Sequence, residues 1–306
     1  MYNNILVPLD GSKRSEAILR HVEDLAGHYS AAVIFLRVVG PVPPNVGPEG
    51  AYSLLPEDLE RWTKQAESYL TALQKEFFEK GIEAQMRVIQ GSAAETITEV
   101  AESEGVDLIA MTSHGWAGLS RVFYGSVAAG VLHRVDRPLL LIRAQEEAKT
   151  QDYDKEVDMY STILVPLDGS KRAEAILRHV EDLARRYGAT VIFLCVVEPV
   201  PLRVGLEGAY TVLREESERR IKQAESYLAT LQEGFCGKGI EAQARVAHGS
   251  AVEAITKTAE REGVDLIAMA SHGRTGLSQV FYGNVAAGVL HRIDRPLLLI
   301  RSRDNE

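Results

Sequence analysis

The chain has 306 residues, 45% of them apolar and 25% charged, with a formal net charge of −9. That mixture suits a soluble globular protein of about two ordinary domains, each long enough to bury its own core. The acidity argues against non-specific nucleic-acid binding, and no apolar run is long enough to cross a bilayer.

Asn4 to Leu9 is a short β-rich run and reads as the first strand. Gly11-Ser12 then opens a helix to about His28, with Ser12 as its N-cap and Ala17, Ile18, His21, Val22 and Leu25 at helical spacing. Ala32 to Val39 is a nearly continuous apolar run, as expected of a strand covered on both faces. Gly40 to Pro56, rich in proline and glycine, reads as a long loop. Glu57 to Lys80 is a long helix whose inner stripe carries Leu59, Trp62, Ala66, Tyr69, Leu70, Leu73 and Phe77, all expected in the core. Gly81 ends it.

Glu83 to Ile89 is the third strand. Ser92-Ala93-Ala94-Glu95 has the form of a capping box and starts a helix to about Glu104. Val106 to Met111 is the fourth strand, Gly125-Ser126 opens a helix to about Arg134, and Pro138 to Arg143 is the last strand. Strands alternating with helices indicate a parallel sheet with helices on both faces. In such a sheet a ligand crevice lies at the carboxyl ends of the strands, where strand order reverses. The loops after the first and fourth strands should meet there.

The whole pattern occurs twice. Ile5 to Arg14 recurs unchanged at Ile163 to Arg172, and the offset of 158 residues holds without a gap to Arg143 and Arg301. About three positions in four are identical, so this is a duplicated domain. Residues 1–143 and 161–303 read as the two domains, with the polar, charged segment 144–160 as an exposed linker. Cys195 and Cys236 both lie in the second half, where the first half has Arg37 and Phe78. A disulfide framework would not be confined to one copy, so a reducing cytoplasmic compartment is expected. The start, Met1-Tyr2-Asn3-Asn4, lacks the pattern of a secretory leader.

Two places in each copy have chemistry to offer. Asp10, with Asp168 as its copy, ends the first strand, where a carboxylate can accept hydrogen bonds from a sugar or base. Asp-Gly-Ser is equally good turn chemistry, so a turn or cap role stands beside the ligand role. Thr112-Ser113-His114-Gly115 is followed after nine residues by Gly125-Ser126, and the copy reads Ala270-Ser271-His272-Gly273 and then Gly283-Asn284. Glycine before a helix lets a phosphate approach the backbone, and the helix N-terminus presents unpaired N–H groups. The same glycines also serve to shape an ordinary loop. His114 and His272 read as locally bonded loop residues, because no partner carboxylate for a triad is identifiable. His133 and His291 sit near a helix C-terminus, where they suit the dipole. P-loop, dinucleotide and C-x-x-C motifs are absent.

On the residues Ile5 to Ser12, Asp107 to Met111, Ser113-His114-Gly115 with Gly125-Ser126, and Arg137 to Ile142, each copy resembles the universal stress protein family. The resemblance implies two tandem doubly wound α/β domains of the Rossmann-like, adenine nucleotide alpha hydrolase-like kind, each with a five-stranded parallel sheet of order 3-2-1-4-5. It implies pairing of the domains through their last strands and a homodimer. It also implies ATP, or another adenine nucleotide, as a regulatory ligand in stress response. Carried over by position, Asp10 and Val38 face adenine or ribose, Met111 and Thr112 line the entry to the phosphate loop, Gly115, Gly125 and Ser126 hold the phosphates, and Leu9 and Val127 also belong to the binding site. The second-copy equivalents are Leu167, Asp168, Val196, Met269, Ala270, Gly273, Gly283, Asn284 and Val285.

Any Mg²⁺ is expected to be held by the phosphates and water, with no metal ligands or catalytic residues from the chain. The family's pattern, G-x-x-G, nine residues, G-[ST], is altered here: Thr112 and Ala270 replace the first glycine, and Asn284 replaces the last Ser/Thr. A nucleotide-binding module acting on an unknown protein partner is therefore the leading expectation. A ligand-free scaffold with degenerate sites and a slow ATPase are the alternatives.

Overall fold

The structure is a computed structural model, and it describes residues 1–40, 56–113, 126–143, 159–199, 209–271 and 284–301. Most of the expected linker 144–160 and of the expected loop 40–56 lies outside the described residues. The chain divides into two units, Met1–Gln151 and Asp152–Glu306. The first contains β1 (Asn4–Pro8), α1 (Lys13–Glu16), α2 (Leu19–Tyr29), β2 (Ala32–Val39), α3 (Pro56–Glu79), β3 (Ala84–Gln90), α4 (Ala93–Ser103), β4 (Leu108–Thr112), α5 (Ser126–Arg134) and β5 (Leu139–Ile142). The second repeats them as β6 (Thr162–Leu167), α6 (Lys171–Glu174), α7 (Leu177–Tyr187), β7 (Thr190–Val197), α8 (Ala209–Cys236), β8 (Ala242–His248), α9 (Ala251–Arg261), β9 (Leu266–Ala270), α10 (Asn284–Arg292) and β10 (Leu297–Ile300).

Strand order is β3-β2-β1-β4-β5 in the first unit and β8-β7-β6-β9-β10 in the second, so each has the order 3-2-1-4-5. All these neighbours are parallel. The order reverses beside β1 and β6, which places the switch point between β1 and β4, and between β6 and β9. Both faces of each sheet are covered. Phe35 meets Phe77 of α3 edge-on with centroids 4.9 Å apart, while the adjacent Leu36 points to the other face and is also fully buried. Phe193 and Phe235 repeat the contact at 5.0 Å.

Three expectations are corrected. The first helix is two helices, because Ala17 N–H bonds to the Arg14 carbonyl and Ile18 N–H to that of Ser15. These i→i+3 bonds tighten the chain between α1 and α2. The capping box does not form: neither the Ser92 nor the Ser250 side chain makes a cap bond. Their partners face other charges instead, Glu95 towards Arg134 at 3.8 Å and Glu253 towards Lys257 at 2.7 Å. Finally, α8 extends further than α3. Pro56, which suits only a first turn, is replaced by Arg214, which sits inside α8 and pairs with Glu218 at 2.8 Å.

Candidate functional site

β1 pairs with β4 in parallel, with Ile5 opposite Leu108 and Leu6 opposite Ile109. Continuing that register brings Leu9 and Asp10 level with Thr112 and Ser113. The second unit pairs Ile163 with Leu266 and Leu164 with Ile267, which brings Leu167 and Asp168 level with Ala270 and Ser271. The Asp-Gly turn and the start of the Ser-His-Gly loop therefore share the carboxyl edge of each sheet. β5 runs parallel to β4, so α5, which leads into β5, starts at that same edge and returns to the amino edge.

The turn is built by hydrogen bonds. Asp10 Oδ1 accepts from the backbone N–H of Ser12 at 2.9 Å and from its hydroxyl at 2.5 Å. Ser12 Oγ in turn accepts from Ser15 N–H at 3.1 Å and caps α1. Asp168 Oδ1 does the same with Ser170, at 3.0 and 2.6 Å. Gly11 and Gly169 both have φ of +76°, a conformation that a side chain at either position would strain. The turn reading of Asp10 and Asp168 thus holds, and it engages Oδ1 of each.

Of the other expected site residues, Leu9, Leu167, Met111 and Met269 are buried at the ends of their strands, and Thr112 and Ala270 are each only 6% exposed. Val38 and Val196 are half-buried near the ends of β2 and β7. Ser126 and Asn284 open α5 and α10, with Val127 and Val285 half-buried in the first turns. Gly115, Gly125, Gly273, Gly283, His114 and His272 lie outside the described residues.

Three side chains at this edge were not anticipated. Arg37 interrupts the apolar run of β2, and its Nη1 donates to the Leu9 carbonyl at 3.3 Å. Burial lowers its pKa, while the nearby charge of Asp10 and then Tyr69 oppose the shift. Tyr69, expected in the core, turns its hydroxyl towards this polar cluster. Burial raises its pKa, and the carboxylates of Glu16 and Asp10 add to the rise, while Arg37 opposes it. The hydroxyl is shielded from solvent and completes no hydrogen bond of good geometry, although Glu16 is close enough to act on it. Tyr227 is placed alike, raised first by burial, then by Glu174 and Asp168. Cys195 stands where Arg37 does, and it forms no disulfide. The signal for Arg37 was present in the sequence as a charged residue inside an apolar strand. Tyr69 and Glu16 gave none, since both fit ordinary helical patterns.

The opposite edge is occupied by structural bonds. Asp107 Oδ2 accepts from Asn3 N–H at 2.8 Å and from Asn4 N–H at 3.1 Å. Asp265 does the same for Ser161 and Thr162 at 3.1 and 2.9 Å. Among the described residues no group of three or more His, Cys, Asp or Glu side chains is placed to hold a metal ion. Among them, too, no helix is long and apolar enough to cross a membrane.

A family model described as the Universal stress protein family matches residues 1–143 and 159–301. A universal stress protein of Mycolicibacterium smegmatis is 25% identical over 307 residues, covering 98% of this chain and 97% of its own. One from Methanocaldococcus jannaschii is 29% identical over 159 residues, covering 48% of this chain and 98% of its own. The crystal structure of a universal stress protein from Archaeoglobus fulgidus superposes with a TM-score of 0.74 at 20% identity, covering 99% of this chain and 98% of that one.

Proposed function

Because the chain belongs to the universal stress protein family, we propose that it is a cytoplasmic regulatory module that binds ATP or another adenine nucleotide. The sites are the carboxyl edges of the two sheets, and occupancy changes the chain's contacts with a protein partner. The observation that supports this most is the register of β1 on β4 and of β6 on β9. It sets the turns at Asp10 and Asp168 level with the ends of β4 and β9, from which the chain leads on to α5 and α10.

On this reading the carboxylates of Asp10 and Asp168 accept hydrogen bonds from the nucleoside. Val38 and Val196 add apolar surface beside the base. The first turns of α5 and α10 take the phosphates on backbone N–H groups, helped by the positive dipole end. Mg²⁺, when present, is held by the phosphates and water. The ligand acts by favouring one arrangement of the loops it touches. A homodimer belongs to the same reading.

A thermal-shift titration with ATP and Mg²⁺ tests it. A ligand that binds only the folded state adds about 2.7 kcal/mol at 100 times its Kd, so melting should rise with ATP. Gly125→Val and Gly283→Val should diminish the rise with an unchanged circular dichroism spectrum. No rise in the wild-type chain would leave the ligand-free scaffold, the reading that Thr112 and Ala270 favour by placing a Cβ where the family pattern has glycine. Sustained phosphate release, lost in a His114→Ala/His272→Ala variant, would make the chain an enzyme instead.

A further inference from the structure

The outer strand of each sheet is closed by side chains of its own unit. Among the described residues β3 and β8 end the strand order, each with a neighbouring strand on one side. Val33 N–H bonds to the Glu83 carbonyl and Gly91 N–H to that of Val39, with Val33 opposite Ala84 and Val39 opposite Gln90. In a parallel ladder this register turns the N–H and C=O groups of Gln85, Arg87 and Ile89 towards β2. Those of Ala84, Met86 and Val88 face outward. On β8 the bond from Val191 N–H to the Glu241 carbonyl, with Val191 opposite Ala242, sets Ala242, Ala244 and Val246 outward in the same way.

Two of these three outward carbonyls on β3 are already engaged. Gln74 of α3 donates to the Ala84 carbonyl at 2.7 Å, and Arg87 Nη1 reaches the edge to donate to the Met86 carbonyl at 3.0 Å. The guanidinium is itself held in place, with Nε donating to Glu104 at 2.8 Å and Nη2 to Gln85 at 2.9 Å. β8 repeats the arrangement. Gln232 donates to the Ala242 carbonyl at 2.9 Å and Arg245 Nη1 to that of Ala244 at 3.1 Å. Arg245 Nε donates to Glu262 at 3.3 Å and Nη2 to Gln243 at 2.6 Å. β8 has Ala244, Ala247 and His248 where β3 has Met86, Ile89 and Gln90, yet both strands keep a glutamine and an arginine two residues apart, on one face.

An edge strand offers its outward donors and acceptors as a template to any other strand. Arg87 is the sole charged residue of β3, Arg245 is the sole Asp, Glu, Lys or Arg of β8, and neither strand contains proline. Without the arginines each edge would be an uncharged extended segment of the self-associating kind. We propose that Arg87 and Arg245 guard these edges, and that the surface they close is one for a second copy of this chain, whose own β3 or β8 is the matching strand. An incoming strand must displace the guanidinium from its carbonyl and strip it of water, which opposes pairing. Each chain carries two such edges, so pairing through them does not close on itself but links chains in series.

Light scattering of the full chain as it elutes from a sizing column, without ligand, tests the proposal. In Arg87→Ala/Arg245→Ala the mass should shift upward with protein concentration, beyond that of wild type at the same concentration, with an unchanged circular dichroism spectrum. Glu104→Gln/Glu262→Gln removes the charge of the ion pair but keeps the arginine at the edge, and should retain the wild-type mass. Adding Met86→Pro/Ala244→Pro to the alanine variant should abolish the shift, because proline there removes an outward N–H and leaves the bonds to β2 and β7 in place.

An alanine variant with a native spectrum and the wild-type mass would overturn the proposal. So would a shift that survives the two prolines, or one that the glutamine variant matches, since either would trace association to lost stability rather than to the edge. Should the paired alanine variant fail to fold, Arg87→Ala and Arg245→Ala are read singly in the same way.

Discussion

Asp10 holds Ser12 through two hydrogen bonds, and Ser12 holds the first turn of α1, so the sheet edge and the helix start form one bonded unit. A cap of this kind contributes about 1 kcal/mol. Its chemistry was legible beforehand, since Asp-Gly-Ser is turn chemistry wherever it follows a strand. The cluster around it was not. Tyr69 sits on the apolar stripe of α3, and only the placement of α3 on β2 brings its hydroxyl to Arg37 and Glu16.

Buried histidines give a prediction at the same scale. His21 and His179 are 4% and 2% exposed, and each accepts a hydrogen bond at Nε2 from the neighbouring arginine, Arg20 or Arg178. Burial, and then the arginine charge, lowers His21 to about 3 and His179 to about 4, with Asp182 opposing the shift only at His179. The unfolded chain binds these protons near pH 6.5, and the folded chain does not. Their contribution is therefore complete above about pH 6.5 and declines as pH falls towards the folded values, by up to about 1.4 kcal/mol per pH unit for each imidazole. Urea midpoints at pH 7 and pH 5 should show a drop that shrinks in His21→Leu and His179→Leu. An equal drop in all three proteins would show that carboxylates alone govern the acid limb.

At the scale of the element, two helical glycines with the same intrinsic propensity should respond in opposite directions. Gly27 is exposed on α2, a Cβ there would meet nothing within 4 Å, and the second unit has Arg185 at this position, paired with Glu181 at 2.9 Å. Gly27→Ala should stabilise by about 1 kcal/mol, the propensity difference. Gly130 lies where α5 crosses α4, and a Cβ there would come 2.6 Å from that of Ala94. Overpacking costs about 1–3 kcal/mol, enough to exceed the same propensity gain, so Gly130→Ala should lower the melting temperature. Equal gains in both variants would mean that the helices separate at little cost. Strands and helices were legible because apolar runs and stripes are local. The break between α1 and α2 was not, because it changes the hydrogen-bond partner without changing the apolar spacing. Nor was the failure of the capping box, because Glu95 answers to Arg134, distant in sequence.

At the scale of the whole molecule, the repeat carried most of the information. An exact offset exposed two copies of one domain, and the alternation of strands and helices fixed a parallel sheet. Strand order followed from the family resemblance rather than from periodicity, since apolar runs do not say which strands are neighbours. Gly115, Gly125, Gly273 and Gly283, expected to hold the phosphates, lie outside the described residues.

Hydrogen exchange of the full chain with and without saturating ATP and Mg²⁺ locates the ligand directly. Slower exchange is predicted at residues 9–12, 112–113 and 126–128 and at their counterparts 167–170, 270–271 and 284–286, with no change at the amino edge around Asn3, Asn4 and Asp107. Protection confined to the amino edge, or none at either carboxyl edge, would contradict the account.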